Sequence, residues 1–122
     1  MRLNRAAALA VLLVTIGTAA SAQEVFLRGD ELKNFVSGKT FKFPLDGTGG
    51  ASLFATYKAS GQYEFHNDGY NTKAFGKWNV KDDLLCIDFT DNRTRCDRVV
   101  RESDGRLMWK QTNGKKYRFT VQ

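Results

Sequence analysis

Histidine and cysteine are scarce in this chain, which has one of the first, His66, and two of the second, Cys86 and Cys96. That falls short of the three or four nitrogen and sulfur ligands a zinc site needs, so no metal is expected. With the cysteines bridged to each other there is no Cys/His pair for nucleophilic catalysis, and no C-x-x-C spacing offers a low-pKa thiol. His66 sits beside a turn and reads as a surface residue. Past residue 22 there is no long apolar run, so the exported product should have no membrane span. Nucleic acid is excluded as a partner by the absence of a basic helix or a stacking motif. Gly38, Lys39 and Thr40 look like the tail of a phosphate-binding loop, but Lys33 stands where that loop needs its first glycine, and the helix precedes rather than follows. No cofactor is expected.

What the chain does have begins with an export signal. Arg2 and Arg5 precede an apolar run at 6–16 too short for a stable span, and Ala20-Ser21-Ala22 has the A-x-A form of a cleavage site. Residues 1–22 are therefore read as a signal peptide cut after Ala22, and 23–122 as a single domain, periplasmic or secreted. An oxidising compartment is also where a Cys86–Cys96 disulfide forms. Losing Arg2 and Arg5 leaves 17 of the 19 basic residues against 13 acidic ones. The surplus is C-terminal: residues 91–122 hold nine basic and four acidic side chains.

From residue 39 onward, short alternating apolar segments are separated by turn signals with no helix between them, which is the pattern of an antiparallel meander. The strands are read at 39–44, 51–58, 62–66, 74–80, 84–89, 93–101, 106–111 and 115–121. About eight such strands in so short a domain should curl into a small all-β barrel, since an open sheet would leave edges and too little core. One short helix precedes them at 30–38, with Asp30 as its cap, Leu32, Phe35 and Val36 on one face, and Gly38 as its left-handed stop. The second cysteine follows the first by a spacing that lets the two face each other across a hairpin whose three-residue loop is Thr90, Asp91 and Asn92. Asn suits the left-handed last place of such a loop. The closed loop of about 11 residues is worth roughly 2.5 to 3 kcal/mol in the chain-entropy picture, so the bridge is structural. Gly76 makes room for the Trp78 indole or for a bend. At the last hairpin a loop of Thr112, Asn113 and Gly114 pairs Trp109 with Tyr117 and Leu107 with Phe119, putting four apolar side chains on one face.

In that register Lys110 lies opposite Lys116, a destabilising like-charge pair. With Arg93 and Arg95 it suggests a positive interaction surface for an anionic envelope component or protein. The carboxylates of Glu64, Asp82 and Asp83 diverge on strand and turn rather than converge as an acid and base, so an enzyme is not expected.

Phe35 to Thr40, Tyr63 to Gly69, Gly76 to Trp78, Leu85-Cys86 and Cys96 together resemble small uncharacterised periplasmic proteins of alphaproteobacteria. That resemblance covers most of the chain after the signal and implies a fold without an activity. A second likeness is to periplasmic lysozyme inhibitors, small exported barrels with a disulfide whose inhibitory loop carries Ser-Gly-x-x-Tyr. Here the loop reads Ser60-Gly61-Gln62-Tyr63, one residue shorter. The function expected first is a non-enzymatic binding or interaction module of the periplasm. A lysozyme inhibitor acting through Ser60, Gly61 and Tyr63 comes second, and an enzyme with carboxylate catalysis third.

Overall fold

The structure is a computed structural model that describes residues 24–45 and 50–122. The export signal expected at 1–22, and all but the last residue of the glycine-rich turn expected at 46–50, lie outside the described residues. Seven strands follow one another as neighbours: β2 (Lys39–Pro44), β3 (Ser52–Tyr57), β4 (Gln62–Asn67), β5 (Thr72–Lys81), β6 (Leu84–Phe89), β7 (Thr94–Arg101) and β8 (Leu107–Gln111). All adjacent pairs are antiparallel. Short connections rich in Gly, Asn and Asp permit this order, as at Asn92, whose φ of 70° closes the β6–β7 hairpin.

The end of the chain turns this sheet into a barrel. After Gly114 the backbone pairs first with β8 as β9 (Lys116–Tyr117) and then with β2 as β10 (Thr120–Val121). The two ends of the curled sheet thus meet in one run of chain, and β2 to β8 plus this interrupted strand make the expected circuit of about eight. Trp109 faces Tyr117 and Lys110 faces Lys116, as the sequence predicts. The expected Leu107–Phe119 pair is not formed, because the chain changes partner after Tyr117. Phe119 instead packs on Phe41 and Trp109, with ring centroids 5.5 and 5.6 Å apart. The ring is partly buried there against the core.

Two elements precede the meander. Strand β1 (Val25–Phe26), not expected from the sequence, pairs with the far end of β7. Helix α1 (Gly29–Val36) follows and buries Leu32 and Val36, one turn apart, at the barrel end where β2 begins. Asp30 is not its cap. Arg28 holds that position without a side-chain bond, the amide of Gly29 donates to the Asp82 carbonyl at 2.6 Å, and Asp30 and Glu31 sit in the first turn, where the helix dipole favours them. Gly38, at φ 76°, stops the helix as expected, and its amide donates to the Tyr57 carbonyl at 2.7 Å.

The core is an aromatic column along the barrel axis. Phe41, fully buried, touches the rings of Phe35, Tyr57, Trp109 and Phe119 at centroid distances of 5.5, 5.8, 5.2 and 5.5 Å. Trp78 and Trp109 are both buried, and the Trp78 indole N–H donates to the Lys58 carbonyl at 2.8 Å. Gly76, expected to make room for the Trp78 indole or for a bend, makes room for two other rings. It lies between Tyr63 on β4 and Phe89 on β6, and these rings meet across it at 5.8 Å. A Cβ on Gly76 would stand 2.4 Å from the Asp88 carbonyl oxygen, so the two strands would have to part. Gly76→Ala should therefore lower the unfolding free energy by about 1 to 3 kcal/mol in urea titrations. A midpoint equal to that of the unaltered protein would contradict this close approach.

Candidate functional site

The helix covers one end of the barrel, and the other end is open. There the inward faces of β2, β3, β4 and β8, joined by β9, present Phe43, Leu53, Phe65, Trp109 and Tyr117 around a cavity of about 370 Å³. Alternation along β7 points Arg95, Asp97 and Val99 into the barrel, and the register sets Asp97 beside Gln111 and Val99 beside Trp109. Arg95 and Asp97 line the floor of the mouth. The disulfide pairs Cys86 with Cys96, as expected, at a Cα separation of 4.0 Å. The Phe89 amide bonds the Arg93 carbonyl at 2.8 Å, so alternation from that pair puts the cysteines at a close, non-hydrogen-bonded position. The bridge fixes β7 against β6 one residue from both Arg95 and Asp97.

Asp97 is the electrostatic centre of the site. Its side chain is 1% exposed, and one oxygen, Oδ2, accepts both the Trp109 indole N–H and the Arg95 Nε–H, each at 3.1 Å. Its other oxygen, Oδ1, has no hydrogen-bond partner among the described residues, and neither do the buried hydroxyls of Tyr57 and Tyr63. Their two rings meet at a tilt with centroids 5.0 Å apart, and Tyr57 lies 5.8 Å from Trp109, so the uncompensated polar atoms belong to one cluster. Burial pushes the Asp97 carboxyl above its ordinary pKa, against the opposing pull of Arg95 and of the Trp109 bond. Burial also dominates at the tyrosines, raising Tyr63 to about 12 and Tyr57 well above its usual value. For Arg95, burial is the largest influence and works against the charge, but Asp97 together with Tyr63 and Tyr57 more than offsets it and the guanidinium is held protonated.

The four basic residues assigned to one surface do not share it. Arg95, 38% exposed, points inward to Asp97. Arg93 stands at the hairpin tip, pairs with Asp91 at 2.6 Å and lies over the Phe89 ring at 5.4 Å. Lys110 and Lys116 face each other, yet Glu24 bridges them: it bonds Lys110, and it lies 2.9 Å from Lys116, which also meets Glu102 at 3.0 Å. The like-charge tension expected there is thus relieved by acidic residues from distant parts of the chain, and these lysines hold the Glu24 carboxyl below its ordinary pKa. Ser60 is exposed and Gly61 half-buried at their turn, but Tyr63 is turned into the barrel and buried, so the loop presents its start without the tyrosine. Asp83 pairs with Arg98 at 3.1 Å and Glu64 with Lys58 at 2.8 Å, both away from the mouth. His66 is half-buried on the outer face, stacked on Phe54 at 6.4 Å. Among the described residues no group of three or more His, Cys, Asp or Glu side chains is placed to hold a metal ion. Nor does any described helix have the length and apolarity to cross a membrane.

Sequence reasoning missed Asp97. The signal was the alternation Arg95, Asp97, Val99, which puts the charges inside once Val99 is assigned to the core. The adjacent Val100 hides it, because both valines are fully buried, one within the barrel and the other on the opposite face, paired with Phe26 of β1.

The fold and the mouth define a small helix-plugged antiparallel barrel with one open end and a charge pair at its floor. No protein-family model, curated protein or solved structure matches the chain.

Removing Arg95 leaves a buried carboxylate without its counter-charge, held by the Trp109 indole N–H. Arg95→Met should cost about 3 kcal/mol at pH 7, the low end for breaking a buried pair because the arginine is partly solvated. Asp97 has a folded-state pKa above its unfolded value, so its contribution is most favourable below the unfolded pKa and is lost as pH rises through the folded one. Without the arginine that upper limit moves higher still. The stability gap between the two proteins should therefore widen from pH 4 to pH 7 in denaturant titrations, and a constant gap would contradict the pairing.

Proposed function

We propose that the chain is an exported, non-enzymatic binding module of the periplasm that holds a small ligand in the open mouth of its barrel. The observation that carries this reading is the mouth: about 370 Å³ of aromatic-walled space ending on a buried carboxylate with an unanswered oxygen. Sites for small molecules have this composition, mostly apolar walls with a few fixed polar groups. Export is supported by the residue pattern at 1–22 and by the disulfide, a bond typical of oxidising compartments. An enzyme has less support, since Asp97 is the one carboxylate among the described residues lining the cavity. A lysozyme inhibitor working through the Ser60 turn would have to act without the Tyr63 ring at its surface. An anionic partner on the outer face would meet Lys110 and Lys116 already engaged by Glu24 and Glu102.

Crystals soaked with a library of small aromatic fragments test the reading. Fragments should collect in the mouth against Phe43 and Trp109, and Leu53→Trp, which fills that space, should remove them. Fragments bound elsewhere with the mouth left empty would contradict it.

A further inference from the structure

The binding reading leaves open which head group the mouth takes, and Arg95 answers that. Its side chain is 38% exposed and lines the cavity, whereas that of its partner Asp97 is 1% exposed, so the positive member of the pair is the one that reaches the opening. The two meet through one contact, from Arg95 Nε to Asp97 Oδ2 at 3.1 Å. Asp97 Oδ1 has no hydrogen-bond partner among the described residues, so the pair is not a fork on both oxygens and the terminal nitrogens of Arg95 are not spent on it. A guanidinium carries five N–H donors. Asp97 uses one. The Tyr57 and Tyr63 hydroxyls lie near enough for the Arg95 charge to oppose the rise that burial gives their pKa values, and a donor turned to each would still leave two.

The guanidinium is approachable from more than one side. A second cavity, of about 360 Å³, adjoins the mouth across Phe65 and Arg95, which line both, and it is bordered by Phe89 and Arg93. Arg95 lies over the Phe89 ring at 5.9 Å, which places its charge between the two spaces. Among the described residues lining them the charged side chains are Arg93, Arg95 and Asp97, and the single negative one is sealed off. A cationic head would therefore meet a guanidinium first. A carboxylate suits the site, because it can take parallel N–H bonds from the terminal nitrogens, and because the bond from Nε to Asp97 has already ordered the arginine. Beside it, Phe43, Trp109 and Tyr117 offer ring faces and edges for a flat apolar body.

We propose that the mouth takes a small carboxylate with a flat apolar body, its head held by the terminal N–H groups of Arg95 and its body against Phe43, Trp109 and Tyr117; this rests on the mouth-binding reading above. Asp97 is the positioning residue of this arrangement, holding Arg95 from beneath without touching the ligand.

Three probes of one shape separate the possibilities at pH 7: 2-naphthoate, 2-naphthamide and 2-naphthamidine, which are an anion, a neutral molecule and a cation. Proton–nitrogen NMR of the two indole N–H groups and of the Arg95 Nε–H follows their binding. The Trp109 indole lines the cavity and bonds Asp97, so it reports the site, while the Trp78 indole bonds the Lys58 carbonyl and serves as the internal control. 2-Naphthoate should shift the Trp109 and Arg95 signals, leave that of Trp78 in place, and bind about tenfold more tightly than 2-naphthamide, the scale of giving a hydrogen bond a charged acceptor in place of a neutral one. 2-Naphthamidine should bind most weakly. Arg95→Met should erase the advantage of naphthoate over the amide. Equal or tighter binding of the amide or the amidine, or an advantage of naphthoate that survives Arg95→Met, would overturn the head-group assignment while leaving the mouth as a binding site. No movement of the Trp109 signal with any probe would remove both. Should Arg95→Met fail to fold, the comparison among the three probes on the unaltered protein still decides.

Discussion

An antiparallel meander has two edges, and what becomes of them decides whether this sequence has an interior. Here the last few residues settle it. The segment from Lys116 to Val121 pairs with β8 at its start and β2 at its end, and Phe119, at the seam between, exchanges ladder bonds for packing against Phe41, Phe43 and Trp109. With both edges met in one run of chain, the inward row of every strand becomes a wall, and aggregation through an exposed edge is suppressed. Two turns of helix then need only cover one end. The aromatic column, the buried tryptophans and the mouth all follow from that closure.

Closure also gives the charges on β7 their character. On an open sheet Arg95 and Asp97 would be a solvated pair contributing very little. Inside the barrel they sit among aromatic rings, where burying a carboxylate is expensive unless its oxygens are satisfied, and only one of the two is. A well-packed apolar pair in the same places would commonly be as stable or more so. Stability therefore does not account for the pair, whose carboxylate has one saturated oxygen and one without a partner beneath the floor of the cavity. The disulfide one residue away holds β6 and β7 in register, so the floor of the mouth rests on the most firmly tied hairpin of the molecule.

Much of this was legible in the chain because it depends on local rules. The β6–β7 hairpin followed from cysteine spacing and a left-handed Asn92, the last hairpin from the demand that Trp109 and Tyr117 share a face, and the meander from turn residues at short intervals. What escaped depends on partners far apart in sequence. Strand β1 is two residues long and forms only because β7 extends beyond β6. The change of partner after Tyr117 is dictated by the closing of the barrel, which no local pattern encodes. Glu24 between Lys110 and Lys116 joins chain segments that periodicity cannot bring together. Asp97 was hidden for a related reason: a charged residue on a strand reads as outward until the core assignment of Val99 forces the alternation the other way.

The account stands on Asp97 being inside a closed barrel, with burial prevailing over its ion pair. Carbon-13 NMR of the aspartate carboxyl groups, followed as pH is varied, measures this directly. Asp97 should titrate above the ordinary aspartate value of 3.8, while Asp83, Asp91 and Asp104, each hydrogen-bonded to an arginine on the surface, should titrate below it. An Asp97 that titrates with those three would mean that water reaches the carboxylate and that the sheet does not close around it.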